Sequence, residues 1–516
     1  MRLSTRSLGL LAFLVLTPAA LPAADLSLAA KVRDFDAYAA KGVADWKVPG
    51  LAVAVVKDGQ VAFVKAYGVR ELGQMAPTTT RTLFAIGSTT KAMTAAGLAM
   101  LVDEGRLRWD DPVIRHLPGF VLSDPYLTRE VTVRDLLTHR AGMPNADFLW
   151  YRTQARTADI LKGFALVKPE TSMRSHFTYQ NVMYQVAGEV LAAASGMPWA
   201  DVLRQRIFAP LGMTDTSPTH ASIPGGADVA SPHDEVAEKV QVIQNAPVDN
   251  VPAAGAVWSS ASDMARWVAF LLNGGSVGEK KLLSAASLQE LFTPQTIVGV
   301  DGFYPTARLT KPHFTTYGLG WFQQDYDGRA VSFHTGSIDG MVAICGLLRD
   351  EKVGVVVLAN RDHAELRHAL MLRAFDVFGG GGAKRDWSTE LLKLYADLRA
   401  EGKAKQAKLE EGRVAGTRPT LPLAAYAGTY ADPLFGEVTV KEDGAGLRLA
   451  QGPELRARLE HWNYDTWKVV WDMEWVTPTF LRFALGAQGG ASGLQIGGLD
   501  EPDDAQAHFH RREAKN

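Results

Sequence analysis

The segment STTKAMTAAGLAMLV, residues 88–102, decides how the rest of this chain is interpreted. Its apolar and small residues predict a helix, and Ser88 and Lys91, three positions apart at its start, then lie on one face. A serine hydroxyl is a weak nucleophile until a nearby group takes its proton, and the Lys91 amine is placed to do so. The helix dipole also favours negative charge that develops at Ser88. The S-x-x-K spacing therefore points to covalent catalysis, although the tetrad alone is weak evidence.

The composition is that of a globular protein with more than one domain. The chain has 516 residues, of which 47% are hydrophobic and 21% are charged, so two domains are expected. Its 54 basic and 56 acidic residues give a net charge of -2, and without a basic excess we exclude nucleic acid and an anionic membrane as partners. The one cysteine, Cys345, lies in an apolar run and is predicted to be a buried thiol without a disulfide.

The N-terminal residues 1–24 predict a signal peptide. Arg2 and Arg6 precede an apolar stretch over residues 8–16, and small residues follow at 19–24. Because that apolar stretch is too short to span a bilayer, we expect cleavage rather than a membrane span. The protein is therefore expected to be periplasmic or secreted.

Hydrophobic periodicity predicts an α+β domain over residues 25–378. Residues 51–66 and 342–358 each have the pattern of a β-hairpin, and mainly helical patterns lie between them. Strands at both ends of a long stretch, with helices inserted, predict a sheet that is closed by distant segments.

The C-terminal part of the chain differs from the rest in its composition and sequence pattern. A four-glycine break and a charged stretch that predicts a solvated helix form a linker over residues 379–420. Short aromatic and β-branched runs over residues 421–516 predict a small all-β domain, either a barrel or a sandwich. We expect its core to contain the tryptophans Trp462, Trp467, Trp471 and Trp475.

Tyr179 and Asn181, in the stretch YQN, are the second candidate element. Beside an ammonium a phenol ionises more readily, so Lys91 and Tyr179 are expected to share one proton, taken from Ser88 and later given to a leaving group. The Asn181 amide is expected to fix the lysine or to hold a substrate carbonyl. Taken alone, Y-x-N fits a tyrosine packed in a loop better than a catalytic group.

The stretch HTGS, residues 334–337, is the third candidate element. It precedes an apolar strand, and the glycine at 336 allows that strand edge to approach a ligand closely. The backbone N–H of Ser337 is expected to pair with that of Ser88 as an oxyanion hole, the largest electrostatic contribution in acyl transfer. Thr335 is expected to orient substrate through its hydroxyl. The alternative is an ordinary strand start with one exposed histidine, His334.

Together these motifs resemble the serine β-lactamase and penicillin-binding-protein superfamily over about residues 30–378. The likeness is greatest to its class C-like branch of D-alanyl-D-alanine carboxypeptidases, D-aminopeptidases and related esterases. Four further phrases carry the resemblance, namely FAIGS (84–88), LLTHRAGMP (136–144), FAPLGM (208–213) and ASDM (261–264). The segment that begins at Tyr426 resembles the lipocalin-like C-terminal domain of some exported members.

The resemblance implies an antiparallel sheet flanked by helices, beside a helical subdomain, with the site between them. It implies an acyl-enzyme on Ser88 with Lys91 and Tyr179 as the base system. The substrate-binding and oxyanion residues would be Asn181, His334, Thr335, Gly336 and Ser337, with no metal and no other cofactor.

His334 departs from the lysine that many members of the superfamily have at this position. A lysine is a permanent cation that holds a substrate carboxylate, whereas histidine is mostly neutral at pH 7. Recognition of a substrate carboxylate is therefore disfavoured. Esters, amides, and peptides that are recognised at the end opposite to the C-terminal carboxylate are favoured.

We therefore expect an exported serine hydrolase that cleaves amide, peptide or ester bonds in a small-molecule or peptide substrate. The alternatives are a class C-like β-lactamase or D-alanyl-D-alanine carboxypeptidase, a carboxylesterase, and a non-catalytic penicillin-binding-like sensor. The C-terminal domain could cap the cleft, form a homo-oligomer or bind a second ligand. A second serine motif, G-x-S-x-G at residues 274–278, is predicted to be a surface turn because a helix precedes it.

Overall fold

A computed structural model describes residues 27–382, 384–444, 446–497 and 507–512 of the chain. The predicted signal peptide lies outside the described residues. The strands through residue 359 are β1 (Gly50–Lys57), β2 (Gln60–Gly68), β3 (Phe84–Ala85), β4 (His233–Val236), β5 (Lys239–Val242), β6 (Trp258–Ser259), β7 (Ser276–Val277), β8 (Lys280–Lys281), β9 (Thr296–Ile297), β10 (Thr315–Tyr317), β11 (Phe322–Tyr326), β12 (Arg329–Ile338), β13 (Met341–Leu348) and β14 (Val353–Ala359).

Helices fill most of the chain between these strands and continue after them. In the described residues they are α1 (Leu28–Asp45), α2 (Thr90–Asp103), α3 (Val113–His116), α4 (Pro125–Glu130), α5 (Val133–Leu137), α6 (Thr157–Phe164), α7 (Asn181–Ser195), α8 (Trp199–Leu203), α9 (Ala209–Leu211), α10 (Pro252–Gly255), α11 (Ala261–Leu272), α12 (Ala285–Leu291), α13 (Ala307–Thr310), α14 (Leu366–Phe378), α15 (Trp387–Glu411) and α16 (Leu423–Tyr426).

An eight-stranded antiparallel sheet organises the N-terminal domain. Its strand order is β2-β1-β14-β13-β12-β11-β10-β9, so the two predicted hairpins, β1–β2 and β13–β14, lie side by side. The α+β fold class, with a sheet closed by distant segments, is thereby confirmed. Strand β12 carries the HTGS stretch and lies in the middle of this sheet.

Strand β1 shows why the sheet lies between two helical layers. Leu51, Val53 and Val55 pack into the core that contains α1 and α14. The alternate residues 52, 54 and 56 pack into the core that contains α2, α7 and α11. A strand that is buried on both faces has a nearly continuous apolar sequence rather than an alternating one, as this strand does.

Helix α2 lies at the centre of the larger core. All residues from Thr90 to Leu101 are buried, including Lys91. A helix that is apolar on all sides is typical of a protein interior rather than a surface. The catalytic lysine predicted from the sequence is therefore held in a buried helix.

The C-terminal domain is a closed antiparallel barrel, which confirms the predicted all-β architecture. Its strands are β15 (Gly428–Asp432), β16 (Gly436–Asp443), β17 (Gly446–Gln451), β18 (Leu455–Asn463), β19 (Thr466–Trp471), β20 (Thr479–Leu485), β21 (Ala491–Gly497) and β22 (Ala507–Arg511). Alternate residues of each strand fill the interior, as closure of a small barrel requires.

The predicted tryptophan core of the barrel is only partly correct. Trp467 is buried among the core residues, and Trp471 packs against them. Trp462 is buried outside this core cluster, where it makes an edge-to-face contact with Phe480. Trp475 lies outside the barrel core, because its indole N–H points to Asp339 of the N-terminal domain at 3.3 Å.

The glycine break and the helix after it are attached to the N-terminal domain. The Gly380 N–H donates to Glu351 Oε2 at 2.6 Å. Trp387, at the start of α15, is buried and donates its indole N–H to Asp376 at 2.9 Å. These two contacts hold the start of the predicted linker against the N-terminal domain, and the later turns of α15 are exposed, as expected.

The barrel contacts the N-terminal domain near residues 148–152. The rings of Phe148 and Phe435 are 4.3 Å apart between centroids. The Arg152 guanidinium lies 2.7 Å from Asp339 and 3.5 Å from Glu454 of the barrel. These contacts tie the barrel to the loop after α5 and to the turn after β12.

Three smaller expectations are also resolved. Cys345 is buried, and burial raises the pKa of its thiol to about 12, so it acts as a small apolar residue. Ser276, the serine of the G-x-S-x-G string, lies on the short hairpin β7–β8 after α11, in the predicted surface turn. Among the described residues, no helix is both long and apolar enough to cross a bilayer.

Candidate active site

Ser88 lies in a single 3-10 turn, Gly87–Thr89, that leads into α2. Gly87 has φ of 52°, in the left-handed region, and a side chain at this position would lie 2.8 Å from the Ser337 nitrogen. A side chain at Gly336 would lie 1.9 Å from the Ile86 oxygen. Only glycine permits both the backbone conformation and this close approach, so the two glycines bring strand β12 against the serine.

Lys91 is fully buried beneath Ser88, one turn along the same helix. Its Nζ lies 2.9 Å from Ser88 Oγ, 2.7 Å from Asn181 Oδ1 and 2.9 Å from the carbonyl oxygen of Ala254. The Asn181 and Ala254 oxygens can only accept hydrogen bonds. In the neutral amine, both N–H groups are therefore directed to them, and the nitrogen lone pair faces the Ser88 hydroxyl.

The environment of Lys91 makes that neutral form accessible. Burial lowers the pKa of the amine to about 7, and the negative charge of Asp147 opposes this shift. Desolvation disfavours a charged lysine. At neutral pH a large share of the amine is thus unprotonated and able to accept the Ser88 proton.

Tyr179 contacts the serine as expected, but in a different ionisation state. Its hydroxyl hydrogen-bonds the Ser88 side chain, and burial raises the pKa of the phenol well above 10. The Lys91 nitrogen lies over the face of the ring, 4.9 Å from its centroid. Desolvation is the largest cause of this shift and favours the neutral phenol over the phenolate that the sequence analysis expected beside Lys91.

Asn181 is the first residue of α7, and Asp147 is a neighbour that the sequence analysis missed. Asn181 Nδ2 donates to Asp147 at 2.9 and 3.2 Å, which fixes the amide so that Oδ1 faces Lys91. Trp150 Nε1 also donates to Asp147, at 2.9 Å. Asp147 begins a single 3-10 turn, Asp147–Leu149, 34 positions before Asn181, and no local spacing in the sequence connects the two.

The backbone around Ser337 has the orientation that an oxyanion hole requires. Arg367 donates to the Gly336 carbonyl oxygen at 2.6 Å. The C=O and N–H of a trans peptide point in opposite directions, so the Ser337 N–H points away from Arg367 and towards the Ser88 turn. A side chain on Gly336 would lie 3.0 Å from the Ser88 nitrogen, and the two N–H groups are thus brought to one place.

Thr335 and His334 differ in their access to the cleft. The Thr335 hydroxyl lies 2.6 Å from that of Tyr304, and both residues line the cleft. His334 is buried, and burial together with the Lys91 charge lowers the pKa of its imidazole to about 3. Its Nδ1 lies 2.6 Å from the Thr335 carbonyl oxygen and its Nε2 lies 2.9 Å from the Tyr317 hydroxyl.

His334 is consequently placed behind the site and not in it. A carbonyl oxygen only accepts, so the proton is on Nδ1 and Nε2 accepts from Tyr317. His334 is absent from the residues that line the cleft, and the expected direct contact with substrate is corrected to a neutral support. Successive residues of a strand face opposite sides, and for that reason residues 334 and 335 are separated.

His139 is a second residue to which the sequence analysis gave no role. Its Nδ1 accepts from the Gln180 N–H at 3.0 Å, and its ring stacks on that of Tyr179 with a centroid separation of 4.2 Å. Burial lowers the pKa of this imidazole well below 6.5, so the ring is neutral. The phrase LLTHRAGMP contained His139, but its contact with Tyr179 depends on the tertiary fold.

The cleft above Ser88 has a volume of about 430 Å³. The residues that line it are Gly87, Ser88, Asp147, Trp150, Tyr179, Asn181, Val248, Val251, Ala254, Gly255, Asp301, Gly302, Phe303, Tyr304, Pro305, Phe322, Thr335, Ser337 and Ile338.

The charged side chains of this cleft are acidic. The ionisable carboxylates among the lining residues are Asp147 and Asp301, and none of these described lining residues is a lysine, an arginine or a histidine. The described lining of the cleft thus offers no cation to a substrate carboxylate. Among the described residues, no group of three or more His, Cys, Asp or Glu side chains could hold a metal ion.

Comparisons with known proteins identify the family of the chain. The sequence model of the family described as β-lactamase matches residues 35–377, and a model described as a domain of unknown function, DUF3471, matches residues 412–513. An unguisins hydrolase of Aspergillus violaceofuscus is 30% identical over 81% of this chain and 77% of its own length. Penicillin-binding protein 4 of Amycolatopsis lactamdurans is 31% identical over 61% of this chain and 81% of its own length.

A solved structure shares the fold. It is that of an octameric penicillin-binding protein homologue from Pyrococcus abyssi, with a TM-score of 0.58 and 21% identity. The match covers 93% of this chain and 99% of that chain, so the likeness extends over both the sheet domain and the barrel.

Proposed function

The chain belongs to the β-lactamase family, and on this premise we propose that it is an exported serine hydrolase that forms an acyl-enzyme on Ser88. The observation that carries the proposal is the 2.9 Å contact between Ser88 Oγ and Lys91 Nζ. Because burial holds the pKa of that amine at about 7, a base is available next to the nucleophile at neutral pH. The family's homologues are serine hydrolases, which supports the same chemistry.

Acylation follows from the positions of the protons. Ser88 Oγ attacks the substrate carbonyl carbon as its proton passes to the lone pair of Lys91 Nζ, which becomes an ammonium. The N–H groups of Ser88 and Ser337 then donate to the developing oxyanion. Tyr179 keeps its proton at neutral pH because its pKa is raised, and it donates that proton to the leaving nitrogen or oxygen as the bond to carbon breaks. The Lys91 ammonium then restores the phenol proton.

Hydrolysis of the acyl-enzyme reverses these transfers. A water molecule takes the place of the leaving group beside Tyr179 and attacks the Ser88 ester. Its proton returns through the same two side chains, and the Ser88 oxygen is reprotonated as the acid product leaves. No further acidic residue is needed, since Lys91 and Tyr179 serve both half-reactions.

The charges of the cleft favour substrates without a carboxylate next to the scissile bond. Asp147 and Asp301 line the cleft, and His334 is neutral behind it. A substrate carboxylate would therefore lie near like charges without a compensating cation. We propose amide, peptide or ester substrates that are neutral or cationic there, in preference to peptides with a free C-terminal carboxylate.

A β-lactamase or cell-wall carboxypeptidase activity is the second candidate. The observation in its favour is the 31% identity to penicillin-binding protein 4 over 81% of that protein. Both activities require binding of a substrate carboxylate, and the charges of this cleft disfavour it.

The proposed function also includes a cellular location and an oligomeric state. The N-terminal sequence supports export to the periplasm or the exterior. The structural relative from Pyrococcus abyssi is an octamer, which supports a homo-oligomer here, and the barrel is the proposed site of self-association.

Labelling with a fluorophosphonate tests the nucleophile. We expect wild-type protein to be labelled at Ser88 and the Ser88→Ala variant to lose labelling by at least about 100-fold, because acylation needs this hydroxyl. Ser276→Ala, which alters the G-x-S-x-G string on the β7–β8 hairpin, is the matched control and should be labelled like the wild type. Full labelling of the Ser88→Ala variant would exclude the assignment.

A paired substrate series tests the substrate class. Peptides that differ only in a C-terminal amide or a free acid, activated esters and nitrocefin are compared on the mature protein. Faster turnover of the amidated peptide than of its acid supports the proposal. Faster turnover of nitrocefin or of the free acid would establish the second candidate instead.

A further inference from the structure

A continuous line of contacts joins the base to a carboxylate at the cleft wall. Lys91 Nζ donates to Asn181 Oδ1 at 2.7 Å, and Asn181 Nδ2 donates to Asp147 Oδ1 at 2.9 Å. One planar amide therefore bridges the amine and the carboxylate, with its donor end on the acid and its acceptor end on the base. We propose that Asp147 is a positioning residue that, through Asn181, holds Lys91 and stabilises its protonated form during acylation. This inference rests on the proposed function.

The carboxylate of Asp147 is itself held in place. Trp150 Nε1 donates to Oδ1 at 2.9 Å, and Asn145 Nδ2 donates to Oδ2 at 3.2 Å. The Asp147 N–H in turn donates to Asn145 Oδ1 at 2.9 Å. A carboxylate that accepts several hydrogen bonds is fixed in direction, as a counter-charge for a buried amine requires.

The need for a counter-charge follows from the proton transfer. When Ser88 gives up its proton, a positive charge appears on an amine with no exposed surface. A buried, unpaired ammonium is costly, and an ionised carboxylate one amide away reduces that cost. Asp147 thus acts on the species formed in the transition state, in addition to orienting Asn181.

The other titratable groups around Lys91 do not supply this charge. His139 and His334 face it, and burial lowers both pKa values far enough to keep the rings neutral. Tyr179 and Tyr184 present their ring faces to the amine at 4.9 and 5.3 Å, and burial raises the pKa of each phenol. Asp147 is the carboxylate whose charge favours the ammonium.

The test is the pH dependence of the rate of fluorophosphonate labelling at Ser88. In the wild type the rate should fall as pH falls through about 7, since protonation of Lys91 removes the base. Asp147→Asn removes the negative charge and disfavours the ammonium, so its midpoint should move to lower pH. At an effective dielectric constant of about 20, a unit charge several ångströms away shifts a pKa by on the order of one unit.

Two further variants separate this role from a merely structural one. Asp147→Glu keeps the charge and should return the midpoint towards the wild-type value, whereas Asp147→Ser should reproduce the downward shift with a smaller side chain. Asp159→Asn, which removes an exposed carboxylate on α6, is the charge control and should leave the midpoint unchanged. The midpoint does not depend on how much of a variant is folded, so partial misfolding does not obscure it.

Each outcome bears on a different claim. A midpoint that is unchanged or higher in Asp147→Asn and Asp147→Ser overturns the role of Asp147 while the wild-type labelling preserves the proposed function. Failure of the wild type to be labelled at any pH overturns the proposed function, and this inference with it. A similar shift in Asp159→Asn would show a general charge effect and would also overturn it.

Discussion

The catalytic domain and the C-terminal barrel differ most in what they bury. In the described residues, every buried polar or charged side chain precedes residue 389. The catalytic domain encloses Lys91, His334, Glu365 and Arg367, whereas the barrel interior consists of apolar and aromatic side chains such as Leu449. The barrel core is thus formed by apolar packing.

This difference in buried polar groups shows that the catalytic domain places polar side chains in its interior at a cost in folding free energy. Burial of a polar group costs free energy unless hydrogen bonds compensate it. Lys91 contacts Ser88, and Arg367, which pairs with Glu365, fixes the Gly336 peptide of strand β12 at the cleft. The barrel has no such requirement, so apolar packing governs its stability.

The largest effect is expected at Arg367, because this side chain contributes both to the stability of the fold and to the geometry of the site. It pairs with Glu365 at 2.9 Å and donates to the Gly336 carbonyl oxygen at 2.6 Å. Arg367→Met leaves the buried Glu365 carboxylate without its cationic partner, with only the His368 imidazole at 2.8 Å, which costs about 3–5 kcal/mol of unfolding free energy. Chemical denaturation measures that loss, and the rate of Ser88 labelling should fall as well, because the Ser337 N–H loses its orientation.

A double variant separates the two effects of Arg367. Glu365→Leu with Arg367→Met removes both charges and should recover part of the stability, since an apolar pair can replace a buried ion pair. Labelling should stay slow, because the Gly336 carbonyl still lacks its donor. Recovery of both quantities together would show that Arg367 acts on stability alone.

The sequence was sufficient for the parts of the fold that local patterns determine. The hairpin β1–β2 is marked by its turn residues Lys57 to Gln60, and β13–β14 is marked in the same way. Strand β10, by contrast, is three residues long, too short for any periodicity to stand out. It nevertheless carries Tyr317, which hydrogen-bonds His334.

The residues of the site also fall into those that local sequence patterns predict and those that only the tertiary fold brings together. Ser88 and Lys91 share one helical turn, so their contact follows from spacing. Asp147 meets Asn181 only because the chain folds back across 34 positions that include α6, and His139 meets Tyr179 across a comparable gap. The protonated state of Tyr179 could not be predicted either, because it depends on the degree of burial, which no motif encodes.

The next prediction tests whether the barrel core is separable from the site. Leu449 is buried in strand β17, and Leu449→Ala should lower the stability of the barrel by about 3 kcal/mol through the lost contacts and the cavity left behind. Leu485→Ala, at a barrel position that is 40% exposed, should change it by much less. Thermal unfolding measures the stability, and Ser88 labelling at low temperature should be unchanged in both variants. Slower labelling in Leu449→Ala would show that the barrel core influences the catalytic cleft.

The smallest effect is expected at the contact between the two regions. Trp475 donates its indole N–H to Asp339 at 3.3 Å, and Arg152 lies over the same ring at 5.5 Å from its centroid. Asp339 follows the oxyanion strand, and Arg152 follows the loop of Asp147. Trp475→Phe removes one hydrogen bond and should cost about 1 kcal/mol, seen as faster hydrogen exchange in residues 147–152 and 338–341.

Trp471→Phe is the control, because it removes an indole N–H from a side chain that packs against the barrel core. It should leave hydrogen exchange in both catalytic segments unchanged. If Trp475→Phe behaves like this control, the barrel and the cleft are energetically independent despite their contact. If exchange rises only in Trp475→Phe, the apolar barrel stabilises the loop that carries Asp147, and the two regions differ in composition but act together at the cleft.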